Sequence, residues 1–202
     1  MTMKEGDQQI SLTFSYLALR KAVGWIGILL PFLLMLGGYL IFNEDITLKN
    51  LSVYYHTGMR NVFVGSLCAI SLFLFFYKGY DKWDNRMGSL AGFFALILAI
   101  FPTVKEGPYD WQAYVHFYSA VCLFIILAGI SLFLFTKKAA SPTSRKLKRN
   151  RIYFICGLLM IASLVSAEIF IIFFDDDHPK STFVFWAETV TLVSFGVSWL
   201  TK

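Results

Sequence analysis

The residues of this chain that could perform chemistry are polar groups placed inside or beside apolar segments, where such groups are costly to bury. The set comprises Ser52, Tyr55, His56, Arg60, His116, Glu168 and Glu188. Imidazole and carboxyl groups transfer protons or ligate metal ions, while a guanidinium group binds phosphate or carboxylate. We therefore treat these residues as candidate ligand-binding residues.

Three kinds of chemistry are open to this set. His56, His116 and Glu188 are residue types that hold a catalytic zinc ion, which would make the protein a membrane-embedded, zinc-dependent lipid hydrolase. Without a metal, His116 or Glu188 could act as the general base, with Ser52 or a water as the nucleophile. Alternatively, Arg60 and the histidines bind an anionic headgroup, and aromatic side chains cover its acyl chains. Binding is favoured, because the sequence contains neither an H-E-x-x-H motif nor a nucleophile elbow.

A purely structural alternative needs no ligand. A buried arginine is costly to leave unpaired, and an ion pair with Glu188 or Glu168 would neutralise it. We predict that Arg60 and Glu188 lie within salt-bridge distance or are joined by one water. In this alternative the polar layer only locks the helices together.

Six apolar segments must position these residues, and each approaches the roughly 20 residues that cross a hydrocarbon core. They span residues 23–42, 60–77, 87–103, 112–136, 151–174 and 182–200. Hydrophobic residues form 57% of the chain and charged residues 15%, which excludes a water-soluble domain. The first segment lacks the features of a cleavable signal, so we expect it to remain as a helix. The sequence therefore predicts an all-α polytopic membrane protein, a bundle of six transmembrane helices in a single domain, residues 1–202.

The basic residues divide unequally between the two ends of this bundle. Of the 18 lysines and arginines, 14 fall on the side of both termini. They are Lys4, Arg20, Lys21, Lys78, Lys82, Arg86, Lys137, Lys138, Arg145, Lys146, Lys148, Arg149, Arg151 and Lys202. Because short cytoplasmic loops retain basic residues, we expect both termini to be cytoplasmic and the candidate residues to lie in the outer half.

The same distribution bears on partners and location. The +5 charge marks topology and not nucleic-acid binding, since the basic run from Arg145 to Arg151 adjoins a membrane helix. We expect that run to contact anionic lipid headgroups. The predicted location is the plasma membrane, which is the inner membrane in a Gram-negative bacterium.

Four motifs resemble a known group of proteins. They are Leu51-Ser-Val-Tyr-Tyr-His-Thr-Gly-Met-Arg-Asn-Val-Phe-Val-Gly65, Phe101-Pro-Thr103, His116-Phe-x-x-Ala120 and Phe185-Trp-x-Glu188. Over nearly the whole chain, they resemble bacterial six-helix membrane proteins of unknown function. That group is similar to the eukaryotic six-helix family containing the autophagy modulator DRAM and a GPI-anchor remodelling factor. The resemblance implies a lipid-linked role.

A second resemblance involves the alkaline ceramidase and adiponectin receptor superfamily of zinc hydrolases. Ser52 and His56 match its S-x-x-x-H pattern. The sequence departs from it at Leu67, where that pattern has an aspartate, and at Ala120, where a second histidine would follow His116.

These observations lead to one expected function and two alternatives. We expect an outward-facing polar cavity, bounded by the second, fourth, fifth and sixth helices, that binds or processes a lipid or another amphiphile. A structural or assembly protein is the alternative, and a transporter is the third. The sequence leaves open whether there is catalysis.

Overall fold

The computed structural model describes residues 3–79, 81–105, 107–137, 143–175, 177–178 and 180–202, with side chains from residue 16 onward. Within these ranges the chain is helical and contains no strand. The α-helices are α1 (Met3–Phe42), α2 (Arg60–Phe76), α3 (Lys82–Ile100), α4 (Trp111–Gly129), α5 (Ser144–Phe173) and α6 (Phe183–Thr201). A short 3-10 helix, Leu51–His56, precedes α2, and a π-helical turn, Ile130–Leu134, continues α4.

Four of these helices are long and apolar enough to cross a membrane. They are α1 from Tyr16, α4 with its π-helical turn, α5 and α6. Helix α2 is shorter, with 17 residues, and α3 begins with the charged residues Lys82, Asp84 and Arg86. Large apolar side chains face outward on all six helices, as at Leu40 and Phe76, which are 71% and 73% exposed. An apolar outer surface of this kind is stable only in a lipid environment, and the chain is therefore a membrane protein.

Helices α1, α3 and α5 begin well before the predicted apolar segments, whereas α2, α4 and α6 begin within one residue of them, and all end close to the predicted positions. Polar side chains explain the early starts of α3 and α5, because they cap the first turns. Asp81 accepts hydrogen bonds from the backbone N–H groups of Trp83 and Asp84, and Thr143 accepts one from Lys146. Hydropathy marks only the apolar part of a helix, whereas capped polar turns extend it.

Close packing of α6 places it between α1 and α5. Helices α5 and α6, which a short connection joins, pack against each other. Glycine permits the approach of α1, because a Cβ at Gly196 would lie 2.5 Å from the carbonyl oxygen of Gly24. Small residues commonly allow such backbone contacts between membrane helices.

The end of the bundle that carries the 77–81 and 135–143 connections, called here the basic end, is joined by charged groups. Lys137 Nζ lies 2.6 Å from an oxygen of Asp81 and 2.7 Å from one of Asp84, whose side chain is 2% exposed. The hydrogen bond from Lys137 holds the pKa of Asp81 below its usual value. These contacts tie α3 to the end of α4.

The opposite end, called here the acidic end, contains the 43–59, 101–110 and 174–182 connections. Lys49 forms an ion pair with Asp175, which links the first of these connections to the third. The backbone N–H of Phe185 donates to the Lys49 carbonyl at 3.1 Å. Consequently the first connection is folded down onto α6, the helix that carries Glu188.

Candidate functional site

The short 3-10 helix at the acidic end is held in place from both sides. Asn50 caps it, because its Oδ1 accepts a hydrogen bond from Val53 N at 3.0 Å. Leu51 N donates to Glu188 Oε2 at 2.6 Å, and Leu51 itself is buried. A carboxyl group of α6 therefore anchors the first turn, and this fixes the position of the next residue, Ser52.

Ser52 forms a hydrogen bond with His116, the most buried of the candidate residues at 3% exposure. Ser52 Oγ lies 2.8 Å from His116 Nε2, and His116 Nδ1 lies 2.7 Å from the carbonyl oxygen of Phe101. Since a carbonyl oxygen can only accept, Nδ1 carries a proton. In the neutral imidazole, Nε2 then has the lone pair, and the Ser52 hydroxyl donates to it. A hydroxyl aimed at an oriented imidazole is the arrangement that activates a nucleophile.

Two cavities adjoin this serine and histidine. The outer cavity, about 60 Å³, has polar residues in its wall, including Asn50, Thr103, Tyr109, Ser163 and Glu168. The inner cavity, about 50 Å³, is lined mainly by apolar side chains such as Leu67, Leu98 and Phe195. The residues common to both linings are Ser52, His116, Ala120, Phe124 and Glu188. Ser52, His116 and Glu188 thus lie where a cavity with polar groups in its wall meets an apolar one.

Tyr109 and Asn50 belong to this site, although the sequence reasoning did not select them. Burial raises the pKa of the Tyr109 phenol, and the nearby carboxyl groups of Asp175, Glu168 and Glu188 raise it further. The phenol therefore remains a hydrogen-bond donor at neutral pH. Two signals in the sequence could have found these residues: Asn50 directly precedes the Leu51 motif, and Tyr109 follows the turn-forming residues Gly107 and Pro108.

The predicted ion pair between Arg60 and Glu188 is wrong. Arg60 is exposed, its Nη2 donates to Tyr55 Oη at 3.1 Å, and its guanidinium carbon lies 4.5 Å from the centre of the Tyr55 ring. Glu188 bonds instead to the backbone of Leu51. The side chain of Arg60, at the first residue of α2, reaches the protein surface and therefore does not require a buried counter-ion.

The predicted zinc ligands are not brought together either. Among the described residues no group of three or more His, Cys, Asp and Glu side chains could hold a metal ion. His56 is exposed and its Nε2 lies 2.6 Å from the carbonyl oxygen of Thr103, while both ring nitrogens of His116 have other partners. His56, His116 and Glu188 therefore do not form the ligand set that the metal hypothesis needs.

The seven candidates accordingly divide into two clusters. The first, which we call the cavity cluster, consists of Ser52, His116, Glu168 and Glu188, which all line the outer cavity. The second, the surface cluster, consists of Tyr55, His56 and Arg60, in which Tyr55 contacts both of the others and His56 reaches the 101–110 connection. Helix α2 contributes to the inner cavity only, through residues such as Leu67.

Comparisons with protein-family models, characterised proteins and solved structures show no match to this chain. The resemblance to six-helix bacterial membrane proteins stays a prediction. The geometry of the site is therefore the basis for assigning a function, because one fold serves many functions.

Proposed function

We propose that the chain is a plasma-membrane protein of six transmembrane helices, with both termini in the cytoplasm, that binds an amphiphile in an outward-facing cavity. One observation carries this proposal: Ser52, His116 and Glu188 line both the outer cavity, whose wall contains many polar groups, and the apolar inner cavity. An amphiphile has the same division between headgroup and chain. Sites for small molecules commonly combine apolar walls with a few placed polar groups.

The headgroup belongs in the outer cavity and the chain in the inner one. Asn50, Tyr109 and Ser163 supply hydrogen-bonding groups to the headgroup. Leu67, Phe195 and their apolar neighbours surround the first methylene groups of the chain. Cavities of this size admit only the junction of headgroup and chain, so the rest of the molecule extends into the bilayer.

Exposed basic groups at both ends of the bundle would contact further lipids. Arg60 faces outward at the acidic end, where its guanidinium group suits a phosphate. At the basic end, Arg145, Lys148 and Arg149 are exposed in the first turns of α5. Their position suits the anionic headgroups of the cytoplasmic leaflet.

The structural alternative also has an observation in its favour. His56, His116, Ser52 and Glu188 all have hydrogen-bond partners within the protein. These bonds join the 43–59 connection to α6, α4 and the 101–110 connection, as a locking layer would. This alternative does not explain the cavities beside these residues. The apolar wall of the inner cavity argues against the third possibility, a transporter.

Cysteine labelling tests the proposed orientation. Single cysteines at Lys49 and Lys180 should react with an impermeant maleimide in intact cells, and a cysteine at Lys146 should react only after permeabilisation. The three native cysteines are first replaced by alanine. Reaction of Lys146→Cys in intact cells would invert the orientation.

Photo-crosslinking in lipid nanodiscs tests the binding site. A lysophospholipid with a diazirine near its ester should crosslink saturably to residues lining the cavities. Ala120 lines both cavities, so Ala120→Trp should block this crosslinking. Leu72→Trp adds the same ring at an outward-facing position that is 59% exposed and should leave crosslinking unchanged. Equal saturable crosslinking of both variants would refute binding in these cavities.

A further inference from the structure

We propose that Ser52 and His116 are a nucleophile and general base that cleave an acyl ester of an amphiphile. This inference rests on the proposed function, since the amphiphile must occupy the two cavities. It adds a reaction to the binding function proposed for this site.

The geometry of the pair carries the inference. Ser52 Oγ is 2.8 Å from His116 Nε2, within the range in which a base accepts the proton of a nucleophile. The Phe101 carbonyl, 2.7 Å from Nδ1, fixes the ring orientation and the tautomer. This carbonyl stands where the third group of a Ser-His-acid triad would orient the base. The arrangement needs neither His56 nor a metal ion.

The position of the pair adds an argument that a structural hydrogen bond does not supply. Ser52 and His116 line both cavities, so the hydroxyl is accessible to a group placed at their junction. In an amphiphile whose chain begins in the inner cavity and whose headgroup begins in the outer one, that group is the linkage between them. In acylated lipids this linkage is an ester.

The reaction proceeds in two balanced steps. Ser52 Oγ attacks the ester carbonyl and gives its proton to His116 Nε2, and the resulting tetrahedral oxyanion expels the alkoxide headgroup. His116 returns the proton to the departing oxygen, which leaves as an alcohol, and the acyl group remains on Ser52. Water, deprotonated by His116, then attacks the acyl carbon, and the proton passes back to Ser52 as the fatty acid is released.

Two neighbouring residues have supporting roles. Asn50 lines the outer cavity, and because its Oδ1 accepts from Val53 N, its NH₂ group is the part that can donate to the oxyanion. Glu188 is a positioning residue, because it binds Leu51 N, next to the nucleophile.

A long-chain alkyl fluorophosphonate is the probe that tests this inference in the full-length protein in nanodiscs. Attack by Ser52 forms a P–O bond and expels fluoride, and peptide mass spectrometry locates the adduct. Labelling should occur on Ser52, and His116→Gln should slow it by about 100-fold or more, the usual contribution of a general base. Locating the adduct in the chain without substitutions does not depend on the folding of any variant.

A matched control uses another hydrogen-bonded serine. Ser71 is fully buried and donates to the Gly92 carbonyl at 2.7 Å, between α2 and α3. Ser71→Ala should retain labelling, while Ser52→Ala should abolish it. In addition, Asn50→Asp keeps the capping oxygen but removes the NH₂ donor, and it should slow hydrolysis of p-nitrophenyl palmitate with little change in KM.

The outcomes separate the reaction from the binding function. Fluorophosphonate labelling that does not reach Ser52, or that is unchanged by His116→Gln, would refute the nucleophile and base. If Ala120-dependent crosslinking of the lysophospholipid persists in that case, the binding function stands alone. Loss of that crosslinking as well would overturn both proposals.

Discussion

Replacement of Glu188 tests whether its carboxyl group holds the short 3-10 helix in register with His116. Glu188→Gln keeps an oxygen acceptor at the same distance from the backbone, whereas Glu188→Ala removes it. The bond that is lost joins Glu188 Oε2 to Leu51 N at 2.6 Å, and Leu51 is 3% exposed.

The magnitude follows from these contacts. A buried N–H that loses its partner destabilises a protein by about 1–3 kcal/mol, whereas exchange of one acceptor for another changes much less, under about 1 kcal/mol. For a chain of this length, 1 kcal/mol shifts Tm by about 2–4 °C. At the middle of that range, about 2 kcal/mol, Glu188→Ala should lower Tm by roughly 4–8 °C, and Glu188→Gln should lower it by less than about 4 °C.

Two measurements on the same samples complete the test. Tryptophan fluorescence in detergent, at one scan rate, gives Tm, and the rate of fluorophosphonate labelling reports the position of Ser52. Labelling should fall more for the alanine variant than for the glutamine variant, in the same order as Tm. If both variants retain the Tm of the original chain, or if glutamine is as damaging as alanine, the anchoring role of Glu188 is wrong.

Two further predictions concern packing and pH. Gly196→Ala places a Cβ 2.5 Å from a backbone oxygen of α1 and should destabilise the protein by about 1–3 kcal/mol, whereas Gly65→Ala, with no atom within 4 Å, should be neutral or stabilising in thermal unfolding. Equal effects would contradict the glycine contact. The lowered pKa of Asp81 means that its bond with Lys137 stabilises the fold above the usual aspartate pKa and is lost as pH falls through the folded value. The Tm difference between the original chain and Asp81→Asn should accordingly shrink below about pH 4, and a difference independent of pH would exclude this contribution.

The composition and the spacing of the apolar segments could predict much of the fold. A bilayer imposes a length and a composition on each spanning helix, so both appear directly in the sequence. The positions at which α1, α2, α5 and α6 end were accordingly close to prediction. The starts were less well predicted, because capping by residues such as Asp81 and Thr143 extends a helix into polar sequence.

The candidate site was only partly predictable. Polar residue types at apolar positions selected Ser52, His116, Glu168 and Glu188, which the structure brings to one cavity. The sequence did not indicate their partners. A backbone N–H satisfies Glu188 and a backbone carbonyl orients His116, and backbone groups occur at every residue, so they leave no signal in a list of side chains.

The sequence by itself determined that the chain is a helical membrane protein and that the candidate polar residues lie toward one end of its apolar segments. This is possible because the cost of burying charge in lipid acts on each segment separately. Tertiary structure decided which of these groups meet. The 43–59 connection folds back onto α6 and places Ser52 against His116, while Arg60 and His56 remain at the surface. Which residues meet depends on hydrogen bonds between residues distant in the chain, and the hydropathy of single segments carries no information about these bonds.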